Sequence, residues 1–199
     1  IKPAVVEGDA FHAYDREPDK IVANLKGRDV RMPNDDNIRI ILDPTASGRN
    51  GYNFESNPNG AYTDALIQNN STFNVNWNGI WTAAARRVAD GWVAEAAIPF
   101  RSMSYNPDAT AWNFNIQRTI RRKNEEVRWA NVSRNYRNIE FSNVGTLASI
   151  AGVKQGLGLE LQAFAKAGHA HTFFPAPSRS DVSFAPSGNL YYRITPDFT

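Results

Sequence analysis

Along most of the chain, apolar and polar residues alternate with a period of two, the period of a strand that buries one face and wets the other. Helical periodicity is weak nearly everywhere. Strands are expected over Pro3–Glu7, closed by Gly8-Asp9, and over Phe11–Tyr14, closed by a turn at Asp15–Asp19. Ile21–Leu25 fits one helical turn or a connector. In Ile38–Leu42 the residues Ile38, Ile40 and Leu42 share a face. Asp43 to Gly51 reads as a loop because Asp43-Pro44, Ser47-Gly48 and Asn50-Gly51 are all turn dipeptides. Tyr52–Ser56 and Tyr62–Ile67 are strands on either side of the turn Asn57-Pro58-Asn59-Gly60. Trp81–Val88 and Trp92–Ile98 flank Ala89-Asp90-Gly91, and Asp-Gly between two apolar runs signals a hairpin.

The clearest strand is Ala111–Arg121. Trp112, Phe114, Ile116 and Ile120 point to one side of it, and Asn113, Asn115, Gln117, Thr119 and Arg121 to the other. Pro99–Pro107 is a connector, and Val127–Val132 and Val144–Ile150 close the pattern. Many short strands separated by turns predict an all-β fold, an antiparallel β-sandwich over residues 1–151. After Gly152 the composition shifts. Gly156–Phe164 alternates, Ala165–Ser187 is rich in Pro, Ala and Ser, and Leu190–Ile194 alternates again. Residues 152–199 are expected to be an extension leaving the sandwich.

Composition narrows the function classes. The chain has 199 residues and a formal charge of only +2, and its basic residues cluster only over Arg118–Lys123, so nucleic-acid binding is not expected. There is no Cys, which excludes disulfides and thiolate metal sites. Aromatics make up 12%, with five Trp, a content that suits a β core or a surface that grips flat ligands. No run reaches the length of a membrane-spanning helix. A start at Ile1 without Met and without a signal peptide reads as a mature or excised fragment.

Four runs carry a family resemblance: Asn50-Gly-Tyr-Asn-Phe-Glu-Ser-Asn-Pro-Asn-Gly60, Trp77-Asn-Gly-Ile-Trp81, Asp90-Gly-Trp-Val-Ala-Glu-Ala-Ala-Ile-Pro-Phe100 and Trp112-Asn-Phe-Asn-Ile-Gln-Arg-Thr-Ile-Arg-Arg-Lys-Asn-Glu125. Together they resemble the N-terminal family 9 carbohydrate-binding-module-like domain of bacterial outer-membrane proteins, which is followed there by the domain of unknown function 5916, a predicted β-barrel. The resemblance covers about residues 1 to 150, and Leu159–Phe164 with Asn189–Pro196 looks like the opening of that following domain. It implies a bacterial outer-membrane protein whose module faces the periplasm or the cell surface and meets the membrane only through its barrel. The expected partners are a glycan or polysaccharide, and the chain's own C-terminal β-barrel or other outer-membrane proteins. The first strands, where Gly8-Asp9-Ala10-Phe11-His12 runs together, are shorter than in such relatives.

Sugar binding needs a flat apolar platform for the pyranose C–H face and planar hydrogen-bonding groups at its rim. Trp77 and Trp81, four apart in an Asn-rich context, are the platform candidates, with Tyr52 beside them; the bland alternative makes Trp81 core. Asn115, Gln117 and Arg121 on the polar face of Ala111–Arg121 are the hydrogen-bonding candidates, and the resemblance places a Gln near Gln117. A solvated sheet face is the alternative there. Glu95 and Arg118 each sit in an apolar strand, where a charge needs a partner, and are expected to form a structural ion pair. No second carboxylate stands at an acid/base spacing from Glu95, so no enzymatic activity is expected. Asp35, Asp36 and Asp43 are candidates for structural calcium, which the resemblance implies, against turn capping. No cofactor is required. His169 and His171 have same-face spacing but no third ligand nearby. The alternative to glycan recognition is a structural or interaction domain that caps or docks onto a barrel without sugar affinity.

Overall fold

The computed structural model describes residues 11–130, 133, 135–137, 139–150, 159–172, 174 and 179–192. The strand expected over Pro3–Glu7 lies outside them, as do Asn131 and Val132 of the run expected after Val127. Twelve strands are described: β1 (Phe11–Tyr14), β2 (Asn37–Asp43), β3 (Gly51–Ser56), β4 (Tyr62–Gln68), β5 (Thr72–Asn74), β6 (Thr82–Val88), β7 (Gly91–Ala97), β8 (Ala111–Ile120), β9 (Glu125–Arg128), β10 (Gly145–Ala148), β11 (Leu159–Thr172) and β12 (Arg179–Tyr192). The other regular elements are single 3-10 turns. The chain divides into two compact units, Ile1–Lys154 and Gln155–Thr199.

The first unit is an antiparallel β-sandwich. One sheet runs β1-β7-β6; the other runs β10-β8-β2-β3-β4-β5, with β9 also paired to β8. β9 and β10 share one edge of β8, pairing with Ile120 to Gln117 and with Phe114 to Ala111 respectively. The alternation explains what fills the space between the sheets. Ile40 and Leu42 from β2, Tyr52 and Phe54 from β3 and Trp112 from β8 meet Trp81 and Ile98 from the flanks of the β6–β7 hairpin. At the other end of the sandwich Ile38 meets Ala13, Trp92 and Ala94. Burying these large aliphatic and aromatic side chains, at about 1.5–3 kcal/mol each, is what joins the two sheets.

The hairpin expected at Ala89-Asp90-Gly91 forms, with Val88 opposite Gly91. Gly91 sits at φ 148°, and a Cβ there would collide with the Ala13 carbonyl of β1. Only glycine combines that backbone with so close a neighbouring strand. A short strand absent from the sequence reading, β5, follows a turn in which Asn69 and Asn70 both take positive φ. Asparagine tolerates that conformation better than other side chains. Arg121, expected at the end of β8, lies instead in a 3-10 turn over Arg121–Lys123, closed by Asn124 in the left-handed region.

The second unit is a single long hairpin, β11 paired with β12 from Leu159↔Tyr192 to Thr172↔Arg179. Small residues accept the strand conformation, and the described pairing carries Pro186 opposite Ala165.

Candidate functional site

The two faces of the large sheet have different chemistry. On its inner face, Trp81 is buried and its Nε1 donates to Asp64 Oδ2 at 2.7 Å. Asp64 also accepts from Gly79 N at 3.1 Å and Arg28 Nη2 at 3.3 Å. Burial pushes the Asp64 pKa up, and these donors only partly offset it. The Trp77 ring lies over Gly79 and packs 5.0 Å from the Tyr52 ring and 6.0 Å from Phe54. Tyr52 is buried, and its hydroxyl oxygen accepts from Ser104 N at 2.7 Å. The three aromatic candidates are thus brought together, but against the core side of the sheet.

The outer face is built from residues that strand register aligns. Thr63, Glu55, Arg39, Gln117 and Arg128 form one row across β4, β3, β2, β8 and β9. Asn37, Thr119 and Glu126 form the next row on one side, and Ala65, Asn53, Ile41 and Asn115 the row on the other. Beyond that second row Ile41, Ile67, Ile139 and Phe141 pack together with Phe73 and Val144 and close the face with an apolar lid. What remains open is a groove of about 290 Å³ whose walls include Arg31–Pro33, Phe73, Val75, Arg121 and Glu126.

Within this groove Arg39 donates through Nη2 to Glu55 Oε2 at 2.9 Å, and its guanidinium lies 5.7 Å from the Phe73 ring centre. The Gln117 side chain is 1% exposed, and neither atom of its amide has a hydrogen-bond partner among the described residues. Asn37 Oδ1 and Asn53 Oδ1, buried in the two flanking rows, are equally unpartnered among the described residues. Such atoms cost stability in an ordinary core and call for a specific explanation.

The other hydrogen-bonding candidates divide. Arg121 stands on the rim of the groove with Nη1 donating to Asn124 Oδ1 at 3.1 Å. Asn115 is saturated: Nδ2 donates to Ala130 O at 2.9 Å, and Oδ1 accepts from Ala130 N and Ile116 N. It fixes the chain after β9 to the sheet.

The acidic candidates organise loops. Asp43 accepts from Thr45 N, Thr45 Oγ1, Gly48 N and Asn113 Nδ2, which ties the Asp43–Gly51 loop to β8. Asp35 accepts from Asn24 N, Asn24 Nδ2, Leu25 N and Asn57 Nδ2. Burial pushes its pKa up, but the bonds from Leu25, Asn57 and Asn24 outweigh burial and hold it below the ordinary value. Asp36 Oδ1 accepts from Arg121 N at 2.8 Å, and burial raises its pKa. Among the described residues no three His, Cys, Asp or Glu side chains converge on a point.

The ion pair expected between Glu95 and Arg118 is replaced by another. Arg118 donates to Tyr14 O at 2.7 Å and lies 3.6 Å from Asp15, while Glu95 is exposed on β7. Arg118 points inward from β8, and the inner face at that position meets the end of β1, where Asp15 also takes Arg122 through two 2.7 Å bonds.

One aromatic residue escaped the sequence reading. Trp129 is 61% exposed, packs 5.7 Å from the Phe114 ring, and lies flat over Gly145, where a Cβ would occupy the space of its ring. The glycine opposite it in space is far away in sequence, so no local signal marks the contact.

No family model matches the chain, and no curated protein matches it either. Among solved structures it is similar to a protein from Bacteroides uniformis described as a "putative carbohydrate-binding protein". The two superimpose with a TM-score of 0.50 at 16% sequence identity, over 61% of this chain and 64% of the neighbour. The chain therefore spans a little under two thirds of that protein. The likeness bears on the fold alone, an antiparallel β-sandwich.

Proposed function

We propose that the sandwich is a non-catalytic glycan-binding module, and that its site is the groove on the outer face of the large sheet. The observation that carries this reading is the pair of buried, unpartnered amide oxygens Asn37 Oδ1 and Asn53 Oδ1 in the groove's lining, with the unpartnered Gln117 amide in the row between theirs. Sugar hydroxyls both donate and accept, and an array of fixed amides in a shaped cleft is how proteins meet them. The fold shared with the Bacteroides uniformis protein adds support at the level of architecture only. Binding without turnover fits the groove's three carboxylates: Glu55, Asp64 and Glu126 are held by Arg39, Arg28 and Arg128 respectively. In this reading Trp77, Trp81 and Tyr52 hold the sheet's shape, and Gln117 and Arg121 contact the ligand.

The test is calorimetric titration of the 199-residue chain against soluble oligosaccharides, with and without calcium. The reading expects binding that Gln117→Ala and Asn53→Ala weaken at least about tenfold, the loss of one or two good hydrogen bonds. Trp77→Phe should leave affinity unchanged. Undiminished binding in both polar variants would move the site elsewhere.

We further propose that the chain belongs to an outer-membrane protein, a reading that draws on the hairpin. On one face β11 and β12 present Leu161, Ala163, Ala165 and Ala167 beside Leu190, Gly188, Pro186 and Phe184, without a charge. The other face carries Lys166, Asp181, Ser183, Ser187 and Asn189. Apolar-out, polar-in alternation over strands of this length is the pattern of an outer-membrane barrel strand. A lone hairpin leaves two open edges, which hydrocarbon does not tolerate, so the membrane form needs further strands to pair with it.

A second reading has the sandwich dock a protein partner without sugar affinity. It is favoured by Trp129 and Val127, 61% and 54% exposed on the same side of β9. Loss of partner capture in Trp129→Ala, with glycan titrations silent throughout, would establish it.

A further inference from the structure

Resting on the glycan reading of the groove, we infer that the ligand is an acidic sugar, a glycan bearing carboxylates such as a uronic acid. The argument comes from which polar groups of the groove already have partners and which do not.

The groove's three acidic residues are engaged. Glu55 takes Arg39 at 2.9 Å, Asp64 takes Arg28 at 3.3 Å, and Glu126 takes Arg128 at 3.4 Å. Two lining arginines have no carboxylate among the described residues. Arg121 spends one Nη on Asn124, and Arg31 is exposed in the groove's lining without a hydrogen-bond or ion-pair partner among the described residues. The positions are fixed rather than incidental. The Arg121 backbone is pinned by its N–H to Asp36 Oδ1 at 2.8 Å, inside a 3-10 turn closed by Asn124. Arg31 is followed by Met32, which is 3% exposed and whose carbonyl accepts from Asn37 Nδ2 at 3.4 Å.

Asn37 and Asn53 line the same groove and carry unpartnered atoms. Asn37 Nδ2 donates to Met32 O and Asp35 O, which leaves Oδ1 without a donor among the described residues. Asn53 Oδ1 is in the same condition, and Gln117 offers both an acceptor and a donor. Bare amide oxygens require hydroxyl donors. Free guanidinium groups require a planar anion with two oxygens, which a carboxylate supplies in matching geometry. A polyhydroxylated carboxylic acid satisfies both sets at once; a neutral sugar leaves the arginines idle, and a simple carboxylic acid leaves the amides bare.

The test compares, on the 199-residue chain, an oligogalacturonate, its fully methyl-esterified form, and a sulfated neutral oligosaccharide of the same length. Esterification keeps the sugar and the planar group but removes the charge. The acid is expected to bind at least about tenfold more tightly than the ester, the effect of one charge-assisted hydrogen bond. Arg121→Gln combined with Arg31→Gln should reduce that preference to below about threefold, chiefly by weakening binding of the acid. Glutamine keeps the Arg121 backbone bond to Asp36, and far-ultraviolet circular dichroism checks that the variant is folded. Equal affinity for acid and ester overturns the inference and leaves the glycan reading standing. A sulfated glycan that binds as tightly as the uronate also overturns it, because the groove then reads charge and not a carboxylate. Silence towards all three, together with neutral glycans, overturns both.

Discussion

A buried carboxylate is the residue whose surroundings matter most in this sandwich, because it either organises a loop or burdens the core. Asp35 and Asp15 belong to the first kind. The Arg122 hydrogen bond chiefly holds Asp15 below its ordinary value of 3.8, and for Asp35 four donors outweigh burial. With folded pKa values below the unfolded one, each contributes stability that is full above about 3.8 and lost as pH falls through the folded value. Burial pushes Asp36 and Asp64 up, so their contribution has the opposite sign: the fold takes up protons there and gains stability as pH falls toward 3.8. Asp35→Asn is expected to cost about 2–4 kcal/mol at neutral pH and to flatten the loss of stability at acid pH, measured by urea unfolding across a pH series. An acid limb as steep as the parent's would remove Asp35 from this account. At this scale the sequence was partly legible. Alternation set Gln117 and Asn115 opposite Trp112, and register confirms that arrangement. Trp77 and Trp81 were beyond it, because spacing by four implies a shared face only in a strand, and residues 75–81 are irregular.

Among the elements, β2, β3 and β8 form the centre of the large sheet and carry the groove's floor. β2 is paired on both sides and buried along nearly its whole length. β5, β9 and β10 are short strands at its edges. Amide exchange should therefore be slowest in β2, β3 and β8 and at least about a hundredfold faster in β5, β9 and β10, following the gradient from paired core to open edge. Comparable protection in β9 and β2 would mean that something not described here covers the β9 edge. The central strands were readable because their apolar residues fall on every second position and their turns are spelled by Asp-Pro, Asn-Gly and Asp-Gly. β5 was not, since three residues are too few to show a period.

On the scale of the whole molecule, the two units have contrasting surfaces. The sandwich buries most of its large aromatic residues, Trp129 and Tyr14 being exceptions, and leaves a polar groove; the hairpin exposes Leu161, Phe184, Val182 and Leu190. If the hairpin's uncharged face meets lipid, the chain should float with phospholipid vesicles, and Leu161→Lys with Phe184→Lys should abolish flotation, each charge costing roughly 2–4 kcal/mol at mid-depth. Flotation unchanged by those substitutions would assign the lipid contact elsewhere. No such prediction follows from the sandwich, whose central claim is that ligand enters over the outer face of the large sheet. The most direct test is to map amide and side-chain chemical shifts of the isotopically labelled chain during titration with a binding oligosaccharide. The account predicts shifts concentrated at Asn37, Arg39, Asn53, Gln117 and Arg121, with the indoles of Trp77 and Trp81 unmoved. Shifts centred on Trp77 and Tyr52, or on Trp129, with the Gln117 amide unchanged, would contradict it.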